Sequence, residues 1–168
     1  MPIPILSIIG KSNSGKTTLL EKLIPELKRR GYRVATVKHH AHAGFEIDQP
    51  GKDTWRHAQA GSDMVVIAAP DKLAMIQRLD QEMTLDEIAA RISGVDIILS
   101  EGYKRAGKPA IEVARAERGL DLVSEPDQLI AIACDVPLEA VVPVFNLDEV
   151  TAIADFIESR YLRRVDTE

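Results

Sequence analysis

Cysteine is almost missing from this chain of 168 residues. The one present, Cys134, sits in the apolar run Leu129–Cys134, which excludes an intrachain disulfide and reads as a small buried hydrophobe. An excess of positive charge is missing too: 21 Lys and Arg stand against 26 Asp and Glu, a formal net charge of -5. Such a chain has no general electrostatic hold on nucleic acid, and none is expected as a partner. No apolar run approaches the length that crosses a bilayer. Residues 1–9 lack the basic start and cleavage site of a signal peptide. The expectation is a cytoplasmic protein with no membrane partner. No shift in composition marks a boundary, so residues 1–168 read as one domain.

What is present is an alternation of strand and helix patterns. Ile3–Ile9 is a short, β-branched apolar run ending at Gly10, the mark of a buried strand. From Thr17, helical spacing puts Leu19, Leu20, Leu23, Ile24 and Leu27 on one face, with Lys28, Arg29 and Arg30 before Gly31 as a C-terminal stop. Pro25 inside this helix is a local conflict. Strands follow at Arg33–Lys38, Asp63–Ala69 (read as buried), Leu73–Leu79, Val95–Ser100, Leu129–Cys134 and Val141–Val144. A short helix is expected over Asp53–Ala60. Another, Leu85–Ser93, opens on the capping box Thr84/Glu87, and a terminal amphipathic helix covers Asp148–Leu162. Near-continuous apolar strands alternating with helices predict an α/β fold with a mostly parallel sheet and helices on both faces. Ligands of such sheets bind beyond the C-terminal strand ends, so the loops after Ile9, Lys38, Ser100 and Cys134 should face one site.

The sharpest signal is Gly10-Lys11-Ser12-Asn13-Ser14-Gly15-Lys16-Thr17, which fits G-x-x-x-x-G-K-[ST] without mismatch. Its glycines let the backbone fold into a cradle of N–H groups for phosphate oxygens. Lys16 then reaches the β and γ phosphates, the Thr17 hydroxyl coordinates Mg²⁺, and the following helix aims its positive dipole end at the same anion. A chance match in a chain this long is about a 1% event, and this one falls between a strand and a helix. The nucleotide-binding residues are therefore expected at 10–18, Thr18 included, in a single P-loop domain.

Magnesium at such a loop needs a carboxylate at a neighbouring strand end. Asp96 lies at the start of the Val95–Ser100 strand; Glu101 lies at its end, beside Gly102, and is the candidate. Asp48, in the long polar loop after Lys38, is a second candidate for the same metal. Asp53 is a candidate cap for the helix after it. His39, His40 and His42 could ligate a metal such as zinc, although no cysteine or carboxylate spacing accompanies them; a phosphate- or partner-sensing loop is preferred. Gly102–Pro109 is a glycine-punctuated basic loop carrying Lys104, Arg105 and Lys108. It could attract a second phosphorylated ligand or an acidic partner. For the base, an Asn-Lys-x-Asp motif is replaced by Ile132-Ala133-Cys134-Asp135, leaving Asp135 as the acceptor for the N1 and N2 donors of guanine. Asn146 is the weaker candidate, because with Glu149 it forms a capping box.

Taken together, Gly15-Lys16-Thr17-Thr18-Leu19, Val37-Lys38-His39-His40, Asp48, Gly51-Lys52-Asp53-Thr54, Ala60-Gly61 and Ser100-Glu101-Gly102-Tyr103-Lys104 resemble the MobB family, the adaptors of molybdopterin-guanine dinucleotide biosynthesis. The resemblance is close over the first two-thirds of the chain and looser after Val113. It implies a GTP- and Mg²⁺-binding homodimer with slow GTPase activity at most. It would assist a guanylyltransferase that joins GMP to molybdopterin, with His39, His40, Lys52, Asp53, Lys104 and Arg105 toward the partner or the pterin. Lys11 occupies the position of an extra phosphate-loop lysine that, in other P-loop families, reaches the nucleotide of a dimer partner. Two alternatives use the same loop. One is a small-molecule kinase, for which Arg105 and Arg115 are the only arginines near a plausible lid. The other is a metal-delivery GTPase built on the histidine cluster.

Overall fold

The computed structural model describes residues 2–41 and 44–162. In chain order the elements are β1 (Ile5–Ile9), α1 (Lys16–Arg29), β2 (Val34–Lys38), α2 (Asp53–Gln59), β3 (Met64–Ala69) and β4 (Lys72–Gln77). They continue with α3 (Leu85–Ala89), β5 (Ile97–Glu101), β6 (Ala110–Ala114), a 3-10 turn Ala116–Arg118, β7 (Leu129–Cys134), β8 (Val144–Asn146) and α4 (Val150–Tyr161). The chain forms two compact units. One takes the chain up to His39 and again from Thr84; the other is the stretch His40–Met83 between them. Among the described residues no helix is long and apolar enough to cross a membrane.

The first unit is an α/β structure around a six-stranded sheet in the order β2-β5-β1-β6-β7-β8, with every pairing parallel. Side chains alternate across each strand. Leu6, Ile8, Ile97, Leu99, Ile111, Val113, Ala131 and Ala133 pack in one cluster with Leu19, Leu23 and Leu27 of α1 and Ile153 and Ile157 of α4. On β6 and β7 the alternate positions Ala114, Ile132 and Cys134 pack under Leu120, Val136, Leu138 and Val142. The parallel order brings the C-terminal ends of β1, β5, β6 and β7 to one edge, where such sheets hold ligands.

Pro25 is accommodated inside α1 because it lies on the exposed face. The carbonyl four residues back, which its missing N–H does not bond, is that of Glu21, itself an exposed residue. Between α1 and α4, the Arg30 guanidinium joins Glu26, Asp155 and Glu158 at 2.6–2.9 Å. At the far end of the sheet from the strand C-termini, Asp96 pairs with Arg33, accepting from its backbone N–H and its Nη2 at 2.7 Å.

The strand β6 goes unread in the sequence, because Glu112 interrupts its apolar pattern. In the fold Glu112 is buried, its carboxylate accepting the Val123 and Ser124 N–H groups at 2.8 and 2.9 Å and the Ser124 hydroxyl. Three hydrogen bonds replace the water the carboxylate gives up. Other boundaries move as well. The strand expected at Val141–Val144 is Val144–Asn146, with Val141 fully exposed. The helix opened by Thr84 keeps its capping box but ends at Ala89.

The second unit holds α2 and the antiparallel pair β3–β4. The reading of Asp63–Ala69 as a buried strand is corrected: only Val65 is buried in β3, and the pair forms its own two-stranded sheet. In its register Val66 faces Met75 and Ala68 faces Leu73. With Met64 these side chains line one exposed apolar face. Asp53 is not the cap of α2: Lys52 holds that position, and Asp53 stands in the first turn, where its charge suits the helix dipole.

Candidate functional site

The loop between β1 and α1 turns on backbone that few residues adopt. Gly10 has φ +144°, and a Cβ there would lie 2.3 Å from the Val113 carbonyl oxygen and 2.8 Å from Ser14 Oγ. No side chain fits. Asn13 takes a left-handed φ of 58°, which asparagine tolerates better than most residues. Gly15 follows at φ 100° and leads directly into α1. The first bond of the helix turn is Leu19 N–H to the Gly15 carbonyl at 2.9 Å, so the Lys16, Thr17 and Thr18 N–H groups just ahead of it are the orphan donors of a helix start. Ser14 Oγ is buried with no hydrogen-bond partner among the described residues. Orphan N–H donors and a hydroxyl at a helix N-terminus form an anion cradle.

Lys16 folds over this cradle, its Nζ donating to the carbonyls of Lys11 at 2.7 Å and Gly10 at 3.2 Å. Its pKa is lowered, first by burial, while Glu101 pulls it back up and Lys104 and Lys38 add repulsion. The β5 end brings Glu101 to the first turn of α1: Thr17 Oγ1 donates to both of its carboxylate oxygens, at 3.1 and 3.2 Å. Lys38 Nζ lies 3.5 Å from Glu101 Oε1. A hydroxyl and a carboxylate meeting beside an anion cradle are the oxygen donors a hard divalent cation takes. Beside them the His39 ring packs against Tyr103 at 4.9 Å between centroids. The His39 N–H donates to the Glu101 carbonyl at 2.9 Å.

Next to the cradle is an open cleft of about 170 Å³ lined by Gly15, Thr18, Leu19, Lys22, Arg115, Asp135, Asn146, Leu147 and Asp148. Arg115 crosses to the phosphate loop, its Nε donating to the Ser14 carbonyl at 2.9 Å. Asp135 Oδ1 accepts the Ala116 N–H at 2.9 Å. Lys22 Nζ donates to Asp148 Oδ1 at 2.7 Å. That contact lowers the Asp148 pKa, with Arg115 adding a smaller pull in the same direction.

The residues 10–18, Glu101, Asp135, His39 and Lys104 thus belong to the first unit, at or beside the C-terminal sheet edge. Arg105 follows them in the β5–β6 loop. Lys11 turns away from a merely solvated role: its Nζ donates to the carbonyls of Arg118 and Gly119 at 3.1 and 3.2 Å and pairs with Asp121 at 3.6 Å. His40, Asp48, Lys52 and Asp53 belong to the second unit. There Asp48 Oδ1 accepts the Gln49 N–H at 2.8 Å, while Oδ2 is buried without a hydrogen-bond partner among the described residues. His42 lies outside the described residues, and among those described no three His, Cys, Asp or Glu side chains converge on a metal position. Sequence reading missed Lys22 and Asp148, and took Arg115 only for a lid arginine. Their one signal is spatial, convergence on a common cleft from α1, the β6 end and the β8 end.

A parallel α/β sheet with this loop at the end of its first strand defines a P-loop protein. Residues 5–135 match the family model "MobB: Molybdopterin guanine dinucleotide synthesis protein B". The chain belongs to that family. It is 39% identical over 159 residues to a molybdopterin-guanine dinucleotide biosynthesis adapter protein of Haemophilus influenzae, covering 94% of this chain and 89% of the relative. It is 35% identical to the protein of that name from Escherichia coli, covering 92% and 91%. Among solved structures it resembles a molybdopterin-guanine biosynthesis protein B (TM-score 0.71, 38% identity, 92% of this chain and 98% of the other). It also resembles the Bacillus subtilis MobB (TM-score 0.75, 26% identity, 95% and 98%).

Proposed function

We propose that this protein is an adapter of molybdopterin-guanine dinucleotide biosynthesis that binds GTP with Mg²⁺ and assists the guanylyltransferase joining GMP to molybdopterin. The observation that carries the reading is the phosphate loop itself: a cradle open to anions at a helix start, with Thr17 bonded to Glu101 at 3.1 Å beside it. The buried, unpartnered Ser14 hydroxyl and the glycine-only position 10 fit a bound phosphate chain. On this reading the N–H groups and Lys16 hold the β and γ phosphates. Thr17 and Glu101 organise Mg²⁺, which when bound offsets phosphate charge. The base occupies the cleft of Asp135, Asn146 and Asp148.

Glu101 is already engaged by Thr17 and Lys38, so it serves as a metal organiser rather than a general base, and GTP hydrolysis is slow at most. Lys104 and Arg105, with the His39–Tyr103 pair, serve a second phosphorylated ring compound, the pterin. His40, Lys52 and Asp53 serve the partner enzyme. The exposed apolar face of β3–β4 supports a homodimer, because such faces on a protein surface are ordinarily covered by another protein.

The test is reconstituted guanylyl transfer from GTP to molybdopterin by the transferase. Addition of this protein should raise product formation, and the Lys16→Ala protein should not. No stimulation, or transfer of label from γ-labelled GTP to a small acceptor, would replace the adapter with a kinase.

A further inference from the structure

The cleft beside the phosphate loop contains three side chains able to face the edge of a base, and their existing bonds separate them. Asp135 is committed to the fold. Its Oδ1 accepts the Ala116 N–H at 2.9 Å, its Oδ2 lies 4.0 Å from Arg115 Nη1, and its side chain is 31% exposed. It fastens the turn after β6 to the end of β7. Asn146 uses its Oδ1 on the Asp148 N–H at 3.0 Å, which leaves its amide nitrogen as the group it presents. Asp148 differs from both. Its side chain is 80% exposed, Lys22 holds Oδ1 at 2.7 Å, and Oδ2 has no partner among the described residues.

Lys22 stands four residues after Thr18, on the same face of α1. The cleft therefore continues from the phosphate cradle by one turn of helix toward the Lys22–Asp148 pair. An ionised carboxylate only accepts hydrogen bonds. Guanine offers it two donors, N1–H and the N2 amino group; adenine presents an N1 lone pair instead, which a carboxylate repels. The Asn146 amide nitrogen is a donor suited to O6.

We infer that Asp148, oriented by Lys22 and flanked by Asn146, is the residue that selects guanine, and that Asp135 shapes the cleft without reading the base. The inference rests on the guanine-nucleotide reading above. It replaces the missing Asn-Lys-x-Asp motif with a lysine from α1 and a carboxylate from the β8–α4 junction.

The test is an exchange of base. In Asp148→Asn the carboxylate becomes an amide whose N–H can donate to the C2 oxygen of xanthine. Fluorescent GTP, XTP, ITP and ATP analogues are titrated, with Mg²⁺, into the wild-type, Asp148→Asn and Asp135→Asn proteins, each first checked by thermal melting. For the wild type we expect GTP to exceed ATP and XTP, and ITP, which lacks the N2 donors, to fall between. Asp148→Asn should weaken GTP by about 10- to 100-fold and strengthen XTP by a similar factor. Asp135→Asn should melt earlier and keep the preference for GTP. An Asp148→Asn protein with the wild-type base preference overturns the assignment, whatever Asp135→Asn does. A wild type that binds ATP as well as GTP removes the guanine reading itself, a result visible before any variant is compared.

Discussion

Gly10 is the residue on which the cradle depends. Alanine there would drive Cβ to 2.3 Å from the Val113 carbonyl, a backbone atom that cannot swing away. Gly10→Ala should cost about 3 kcal/mol of stability, read by chemical denaturation. Gly31→Ala is the matched control. It shares a positive φ of 91° but has nothing within 4 Å of the added carbon, so it should cost only about 1 kcal/mol. Equal losses at the two positions would mean that the close approach at Gly10 carries no weight. Glu101→Gln keeps the shape of the side chain while removing the charge that faces Thr17 and Lys38. Nucleotide binding should weaken by about tenfold or more in Mg²⁺ and change little in EDTA; the same loss in both buffers would speak against a role at the metal. The phosphate loop and Glu101 were legible in sequence because each is a local word, a strand end followed by glycine. Arg115 was not legible in its role. Its contact to the Ser14 carbonyl spans 101 positions, and no pattern along the chain announces it.

At the level of elements, the joint between α1 and α4 is held by Arg30, whose side chain is only 13% exposed and meets three carboxylates. Arg30→Ala would remove the guanidinium that ties Glu26 on α1 to Asp155 and Glu158 on α4, leaving Glu26 held by Arg29, and should lower Tm by about 5 °C. The hydrogen bonds from Arg29 and Arg30 push the Glu26 carboxyl from 4.5 down to about 2. A depressed carboxyl adds stability above its unfolded value and loses it on acidification. The contribution of this joint should therefore be complete above pH 4.5 and fade as the pH falls toward 2, and a pH series of melts on wild type and Arg30→Ala should converge over that interval. The parallel strands β1, β2, β5 and β7 were readable as apolar runs. The sequence misleads at β6, where one buried carboxylate satisfied by Val123 and Ser124 imitates a polar loop. It misleads again at β3 and β4, whose apolar residues imitate core. Their face of Met64, Val66, Leu73 and Met75 is 43–63% exposed. The double change Val66→Glu with Met75→Lys puts opposite charges directly across the pair, which keeps the hairpin together while removing the apolar face. On the proposed homodimer, light scattering should give the mass of two chains for the wild type and of one for the double variant; a wild type of one chain contradicts the dimer, and a variant that stays at two contradicts this face as its contact.

For the molecule as a whole, one sheet gathers three kinds of group at its C-terminal edge: a phosphate cradle, a hydroxyl–carboxylate pair and a base-sized cleft. The fold class was readable because alternation and hydropathy repeat over many residues. The adapter role was readable from the segments Val37–His40, Gly51–Thr54 and Ser100–Lys104, whose resemblance to the MobB family is matched by the family model over residues 5–135, since nothing in the geometry of a P-loop alone names the enzyme it serves. The proposed role therefore begins with nucleotide binding. Its most direct test is a calorimetric titration of the wild-type protein with GTP and with ATP in Mg²⁺, beside Lys16→Ala. That role requires saturable binding of GTP at one site per chain, much weaker binding of ATP, and a loss of more than about 30-fold when Lys16 is removed. Heat from ATP equal to that from GTP, or GTP binding that survives the loss of Lys16, would contradict it.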